Sequence, residues 1–400
     1  MKKRLAILYF FRNDFIDLNR LFKHSDVEIC LFTWNDFENN YSEHADKIIS
    51  YEQLRQPELC FWDLIKEHED SNFTKIISFT EREMIVAAAV REYLGIEGQS
   101  LEDATNFRDK YIMKNYVSKL VKTAFYFNVD SIIDIHKFIS LNGYPFIIKP
   151  RLGAGSKNVS IIENDIELRK YISSNSIKES LIESLVEGTE YHVDGIYDPE
   201  RDKFKFFCAS KYLVPCLDYQ KGEYLGSVII EDNSYFYHKI KTESKKVLSK
   251  LVRNRKAPFC FHGEFFQREN GDLIFSELSP RSGGGQINSS IKSKYGVDLT
   301  LLDIAFQIDE KIGNQIFNSD FKKNNKNIGW VSVPPHVKIT APYSDNKNVI
   351  DSFINEHNKE KKSKQAKSSV DYQIAHVVSA HSELELNDTI STIIDWYNGS

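Results

Sequence analysis

Over the first hundred residues, short apolar runs alternate with longer stretches of helical period. Leu5–Phe10, Val27–Trp34, Lys47–Tyr51 and Lys75–Phe79 read as strands, and helices fit at 14–24, 53–69 and 82–94. Alternation of this kind predicts a parallel sheet with helices packed on it. No G-x-G-x-x-G follows the first run, so the usual dinucleotide fingerprint is absent and the region is expected to shape a substrate pocket instead. Farther on, Glu83–Gly95 predicts a helix that stops at glycine, and a second helix begins near Leu101 and runs through Arg108, Asp109, Lys110, Met113 and Lys114. Lys110 and Lys114 are four apart and share a face, which a solvated basic surface would also explain.

Period two takes over after residue 144. A strand at Pro145–Lys149 leads into a turn containing Gly153, Gly155, Ser156 and Lys157, and a second strand follows at Ser160–Ile162. A glycine-containing turn with a hydroxyl and cations beside it can wrap a polyphosphate with its backbone N–H groups. It lacks the P-loop spacing and no helix follows directly, so an ordinary structural hairpin is the plain alternative. Leu181–Asp194 predicts a strand, a bend at Gly188 and another strand with acidic groups at alternate positions. An extended edge there can hydrogen-bond an adenine, and a carboxylate can accept from both ribose hydroxyls; an amphipathic strand pair explains the pattern equally.

The strongest local signal is Phe259–Gly285. Two apolar runs flank Glu269, Asn270, Gly271 and Asp272, and Asn-Gly between alternating segments marks a hairpin. With Asn270 and Gly271 as the two loop residues, Glu269 pairs with Asp272, Phe266 with Phe275 and Glu264 with Glu277. Two carboxylates directly opposed repel unless something positive lies between them, and a hard divalent cation such as magnesium is the simplest remedy. A different loop length would shift the register and leave two solvated glutamates. Ser279, Pro280 and Arg281 then open into Ser282, Gly283, Gly284 and Gly285, so a guanidinium fork and a bare backbone follow the second carboxylate and can approach an anion closely.

The remainder is more polar. A lysine-rich amphipathic helix is predicted at Lys239–Leu251, an exposed loop at Lys322–Asn327, strands at Gly329–Val333 and Ala375–Ser379, helices near 347–357 and 384–397, and a mobile run at Lys359–Lys367. The 400 residues, 41% hydrophobic and 27% charged, allow two or three domains. A net charge of -5 gives no general attraction to nucleic acid or to an anionic membrane, so a small-molecule partner is expected. The five cysteines form no C-x-x-C pair and fit reduced thiols in a cytoplasmic protein. The apolar run near the N-terminus is too short for a signal peptide with its cleavage site, and none approaches the roughly 18 to 20 residues that span a bilayer.

Taken together, Lys110, Lys149, the turn at Gly153–Lys157, Glu183–Glu190, Glu264, Glu277 and Arg281 come in the order and approximate spacing of the ATP-grasp superfamily, over about residues 80–307. The E-x-S-P-R-S-G-G-G ending, with L-G-I-E-G and R-D-K-x-x-M-K, most resembles its L-amino-acid ligase branch of carboxylate-amine ligases. The resemblance implies an α/β and α+β chain with an ATP-grasp fold: a Rossmann-like domain at 1–106, ATP-grasp subdomains at 107–185 and 186–307, and a small α+β cap at 308–400. It implies ATP and Mg²⁺ as cofactors, with Mn²⁺ as a substitute. Lys110 and Lys149 would hold phosphates, Gly155 and Ser156 would close over them, Glu183, Leu185 and Val186 would line the adenine pocket, and Glu190 would meet the ribose. Glu264, Glu277 and Ser279 would hold the metal, although many relatives carry asparagine where Ser279 stands. Arg281, with Lys149, would serve the reacting carboxylate, and His262, Gly283 and Gly284 would border the substrate. The implied reaction joins a carboxylate to an amine, with amino acids as substrates, and the family allows a homodimer. A carboxylase-like ATP-grasp chemistry and a nucleotide-binding regulator without turnover are the alternatives.

Overall fold

A computed structural model describes residues 3–10, 19–22, 27–41, 43–52, 57–219, 221–339, 341–343, 347–355 and 371–399. The run Lys359–Lys367 and most of the helix expected at 14–24 lie outside the described residues.

The first four strands, β1 (Lys3–Tyr9), β2 (Val27–Trp34), β3 (Lys47–Tyr51) and β4 (Lys75–Ser78), form a parallel sheet in the order β3-β2-β1-β4. Alternation along β1 explains its apolar run. Leu5, Ile7 and Tyr9 enter one core, shared with the helix Leu299–Ile308, while Ala6 and Leu8 enter another with Cys60, Phe61 and Leu64 of the helix Pro57–Asp70. A strand buried on both faces must be apolar at nearly every position. The strand order reverses between β1 and β4, so the crevice at their carboxyl ends is where such sheets bind ligands. Glu81 follows β4 at that point.

β5 (Tyr126–Val129), β6 (Phe146–Pro150), β7 (Ser160–Ile162) and β8 (Ser180–Ser184) form an antiparallel sheet in the order β5-β8-β6-β7. Phe146, Ile148 and Ile182 face Ile135, Phe138 and Leu168, which lie on the helices Ile132–Asn142 and Asp165–Ser174. Their neighbours Ile147, Lys149 and Glu183 are left to line a cavity on the opposite face.

The largest sheet has eight strands: β9 (Thr189–Asp198), β10 (Lys203–Tyr212), β11 (Leu225–Ile229), β12 (Phe259–Gln267), β13 (Leu273–Ser279), β14 (Asn327–Val333), β15 (Val349–Ile354) and β16 (Ile374–Ala380). Their order is β13-β12-β9-β10-β11-β14-β16-β15, and every described pairing is antiparallel. Segment 308–400 thus supplies three strands that continue this sheet. One face buries Val193, Phe259, Phe261 and Phe265 beneath the helices Lys110–Val117 and Tyr235–Leu251.

Three local expectations are corrected. The helix expected from Leu101 through Lys114 is two, Leu101–Arg108 and Lys110–Val117, because Asp109 is extended (φ -87°, ψ 105°) and its carboxylate accepts from the N–H groups of Tyr111 and Ile112 at 3.0 and 3.2 Å. The same residue ends one helix and caps the next. The helix expected near 347–357 contains strand β15 instead. Finally, the hairpin loop is not two residues long: Arg268 N–H donates to Asp272 O at 3.0 Å, Gly271 N–H donates to Arg268 O at 2.8 Å, and Gly271 has φ +80°. This is a three-residue loop with glycine in the left-handed position, so Phe266 pairs with Ile274 and Phe265 with Phe275. A bulge at Ser276 then takes up one residue and restores the expected pairing of Glu264 with Glu277.

Candidate active site

A cavity of about 350 Å³ lies between the β5–β8 sheet and the β9–β13 end of the large sheet. Lys110, Lys149, Ser156, Glu183, Leu185, Val186, Glu190, Glu264 and Glu277 all line it, although they are drawn from segments up to 167 positions apart. Gly155 stands in the same turn with φ +60°, and Ser156 (φ +57°) and Asn158 (φ +58°) are left-handed without being glycine. Left-handed residues turn successive N–H groups toward one side, the geometry of an anion cradle, at a conformational cost that Ser156 and Asn158 bear.

Charge alternates around the cavity. Glu183 is buried between two ammonium groups, with Lys114 Nζ and Lys149 Nζ each 2.5 Å from one of its oxygens. Burial alone would raise the Glu183 pKa, but the two lysines outweigh it and keep the carboxylate ionised. In the sequence Lys114 is a companion of Lys110 on a helix face and the last residue of R-D-K-x-x-M-K, but its partner, 69 positions away, could not be read there. Lys110 Nζ bridges Glu277 Oε2 at 3.0 Å and the Gly153 carbonyl at 2.6 Å. Against the effect of burial, Lys110 and Lys149 hold the Glu277 carboxyl down at about 2. Glu190 goes the other way: burial first and then the Glu264 charge push it up to about 8, while its Oε2 accepts from Cys216 N–H at 2.7 Å.

On the same face of the large sheet, Asp194 accepts from both His192 (2.6 Å) and His262 (2.9 Å), and His262 Nε2 lies 3.6 Å from Glu264 Oε1. Burial disfavours the His262 cation, but Asp194 and Glu264 raise its pKa to about 10. Ser227 Oγ, 2.8 Å from His192 Nε2, receives the Trp330 indole N–H at 2.8 Å, which anchors the pair of histidines. Gly283 fits against this group because a Cβ there would lie 2.7 Å from Asp194 Oδ1 and 2.9 Å from His262 Nδ1. Gly284 belongs to the turn that enters the helix Ile287–Tyr295. Arg281, at the end of β13, pairs with Glu81 at 2.9 Å and donates to Ser282 O at 2.6 Å.

The residues expected to hold a divalent cation suit one. Glu264 and Glu277 are direct cross-strand partners, and Ser279 Oγ is buried with no hydrogen-bond partner among the described residues. A buried hydroxyl without a partner costs about 1–3 kcal/mol, a penalty that an oxygen-seeking ligand removes.

Residues 142–290 match the family model described as an ATP-grasp domain. These residues carry an ATP-grasp domain. It is 28% identical over 287 residues to the L-arginine-specific L-amino acid ligase of Bacillus subtilis, covering 69% of this chain and 68% of that protein. Among solved structures it resembles the L-amino acid ligase from Bacillus licheniformis, with a TM-score of 0.75, 15% identity and coverage of 98% and 97% of the two chains. It also resembles the biotin carboxylase domain of Hydrogenobacter thermophilus 2-oxoglutarate carboxylase, in complex with MgADP, ADP and bicarbonate. There the TM-score is 0.69, the identity 15%, and the coverage 99% of this chain and 90% of that one. The cavity therefore carries the interest; Arg108 and Lys114 lie in the R-D-K-x-x-M-K segment without a role read from it, and Glu81 is a contributor that no sequence motif announced. No described helix is long and apolar enough to cross a membrane.

Proposed function

We propose that this enzyme, an ADP-forming ATP-grasp ligase, joins the carboxylate of one amino acid to the amine of another. The observation that carries the reading is the half-buried Arg281 guanidinium, paired with Glu81 and placed four residues beyond Glu277, which lines the lysine-lined cavity. A carboxylate does not condense with an amine in water, so it must first acquire a leaving group. The substrate carboxylate oxygen takes the γ-phosphoryl group of ATP and ADP leaves. The amine lone pair then attacks the acyl carbon, the amine loses a proton, and phosphate departs as the amide forms.

In this reading Lys110 and Lys149 hold phosphate oxygens and the turn around Gly155 and Ser156 covers them. The segment Glu183 to Val186 borders the adenine, and Glu190 faces the ribose. Glu264, Glu277 and Ser279 would hold Mg²⁺, which supplies charge neutralisation between phosphates. Lys110 now neutralises Glu277, so it is free to turn to phosphate once a cation takes its place. Arg281 binds the reacting carboxylate, and His262, held as a cation beside Glu264, borders the same substrate with Gly283 and Gly284.

The test is a screen of ADP release over pairs of amino acids, with mass spectrometry of the product. Release that requires two amino acids and yields a dipeptide mass supports the reading. Release driven by bicarbonate without amino acids moves the chain to carboxylase-like chemistry, and ADP binding with no turnover under any condition leaves a nucleotide-binding regulator.

A further inference from the structure

We infer that Glu81 is a positioning residue shared by Arg281 and Arg108, through which a carboxylate bound at Arg281 alters the glycine turn at 152–157. The inference rests on the ligase reading for the nature of the substrate, and on the structure for the relay. Glu81 sits at the carboxyl end of β4, in the crevice where the parallel sheet meets the active site. Its Oε1 lies 2.9 Å from Arg281 Nη2 and its Oε2 lies 3.4 Å from Arg108 Nη1. Arg108 also reaches the turn: Nη2 donates to Leu152 O, and Nη1, the nitrogen that faces Glu81, donates to Gly153 O at 3.4 Å, while its Nε is buried with no partner among the described residues. One line of contacts thus joins Arg281, Glu81, Arg108 and the carbonyls of the turn. A second, Glu277 to Lys110 to Gly153 O, runs beside it.

The closer contact decides the direction of the effect. Glu81 favours Arg281, so Arg108 is only loosely held by the acid and grips the turn. A substrate carboxylate needs the same guanidinium fork and competes with Glu81 for it. Glu81 is held ionised by Arg281, Arg108 and Lys110, whose charges overcome the cost of its burial, and a carboxylate displaced from Arg281 needs another cation. Arg108 is the partner at hand. As Glu81 moves onto Arg108, that guanidinium gives up donors it now offers to Leu152 and Gly153, and the turn is released to aim its N–H groups at phosphate. Acid and nucleotide then favour each other's binding, and the coupling is reciprocal.

Backbone hydrogen exchange of the nucleotide-free full-length chain tests the relay without any substrate. Arg281→Met removes the competitor for Glu81, as a bound acid would, and is expected to speed exchange across 152–157 by about 5-fold or more. In the double variant Glu81→Gln with Arg281→Met, the rate should return to that of Glu81→Gln alone. An Arg281→Met turn that exchanges like wild type, or a double variant as fast as Arg281→Met, overturns the inference. Arg108→Lys keeps the charge but gives up the fork, and should speed the turn whether or not Glu81 is present; a slow turn there also overturns it. A second measurement separates this inference from the ligase reading. An equimolar mixture of the twenty common amino acids should tighten MgADP binding to the wild type by roughly the 5- to 150-fold typical of coupled sites. Glu81→Gln should bind MgADP alone normally and lose the tightening, and a Glu81→Gln enzyme that keeps it overturns the relay. If exchange behaves as expected while the mixture has no effect on the wild type, the relay stands and the amino-acid reading falls.

Discussion

Glu277 concentrates the problem that the active site must solve. Its carboxylate faces Glu264 across the ladder and is kept ionised by Lys110 and Lys149. Glu277→Gln removes that charge while keeping the shape, so turnover is expected to vanish with the fold intact, and Lys110 loses its ion pair. Near wild-type ADP release at saturating Mg²⁺ would show that Glu277 is not a metal ligand. Arg281 poses a different question, geometry rather than charge. Arg281→Lys preserves the cation but loses the planar fork, and is expected to lower kcat and kcat/KM together by roughly 10²- to 10³-fold with little change in ATP affinity. Weaker ATP binding with unchanged kcat would make Arg281 a nucleotide anchor. Both residues were legible in the sequence because they lie in one hairpin and its exit. Glu81 was not, since it sits in a turn almost 200 positions earlier, with no periodicity and no neighbouring motif to mark it.

Elements were legible where one pattern ruled them. Val27–Trp34, Lys47–Tyr51 and Ser160–Ile162 have the bounds that their apolar runs predict. Strand β15 was misread for a physical reason: its register shifts between Val349 and Asp351, and the extra residue places apolar side chains at 349, 350, 353 and 354, a helical spacing. The helix Glu310–Asp320 was hidden by Gly313, which sits mid-helix because a Cβ there would come within 2.3 Å of Phe306. The glycine turn, correctly placed between β6 and β7, carries a prediction of its own. Gly155, Ser156 and Asn158 are left-handed, and in the proposed reading the turn would gain anion contacts when phosphate binds. Hydrogen exchange across Gly153–Lys157 should therefore slow when MgATP binds. Equal exchange with and without nucleotide would count against a phosphate-covering role.

At the scale of the whole molecule, parallel and antiparallel sheets meet over one core, and the junction buries acids that lack full compensation. Neither burial nor the continuation of the large sheet by segment 308–400 could be read from local pattern, because both depend on which faces the chain brings together. Glu83 is 1% exposed, takes a hydrogen bond from Thr80 at one oxygen, and has no partner among the described residues at the other. Burial, only partly opposed by Arg82 and Arg108, pushes its pKa from 4.5 up to about 7. Asp303, buried beside Arg255, is likewise raised to about 7. For a carboxyl group raised on folding, the native state keeps a proton that the unfolded chain releases. Stability from that proton is complete below the unfolded value and is lost as pH rises through the folded one. His376 opposes this: burial lowers it to about 4, so its contribution is present above its ordinary 6.5 and fades as pH falls toward 4. The net curve mixes these signs, but a single isosteric change isolates one of them. Glu83→Gln should gain on the wild type steadily between about pH 4.5 and 7. At about 1.4 kcal/mol per unit of pKa shift, the gain is bounded on the order of 3 kcal/mol. Urea denaturation of both proteins, without nucleotide or metal, at several pH values across that window checks it. A difference between them that does not change with pH would mean that Glu83 is ionised in the folded protein and that Arg82 and Arg108 offset its burial in full.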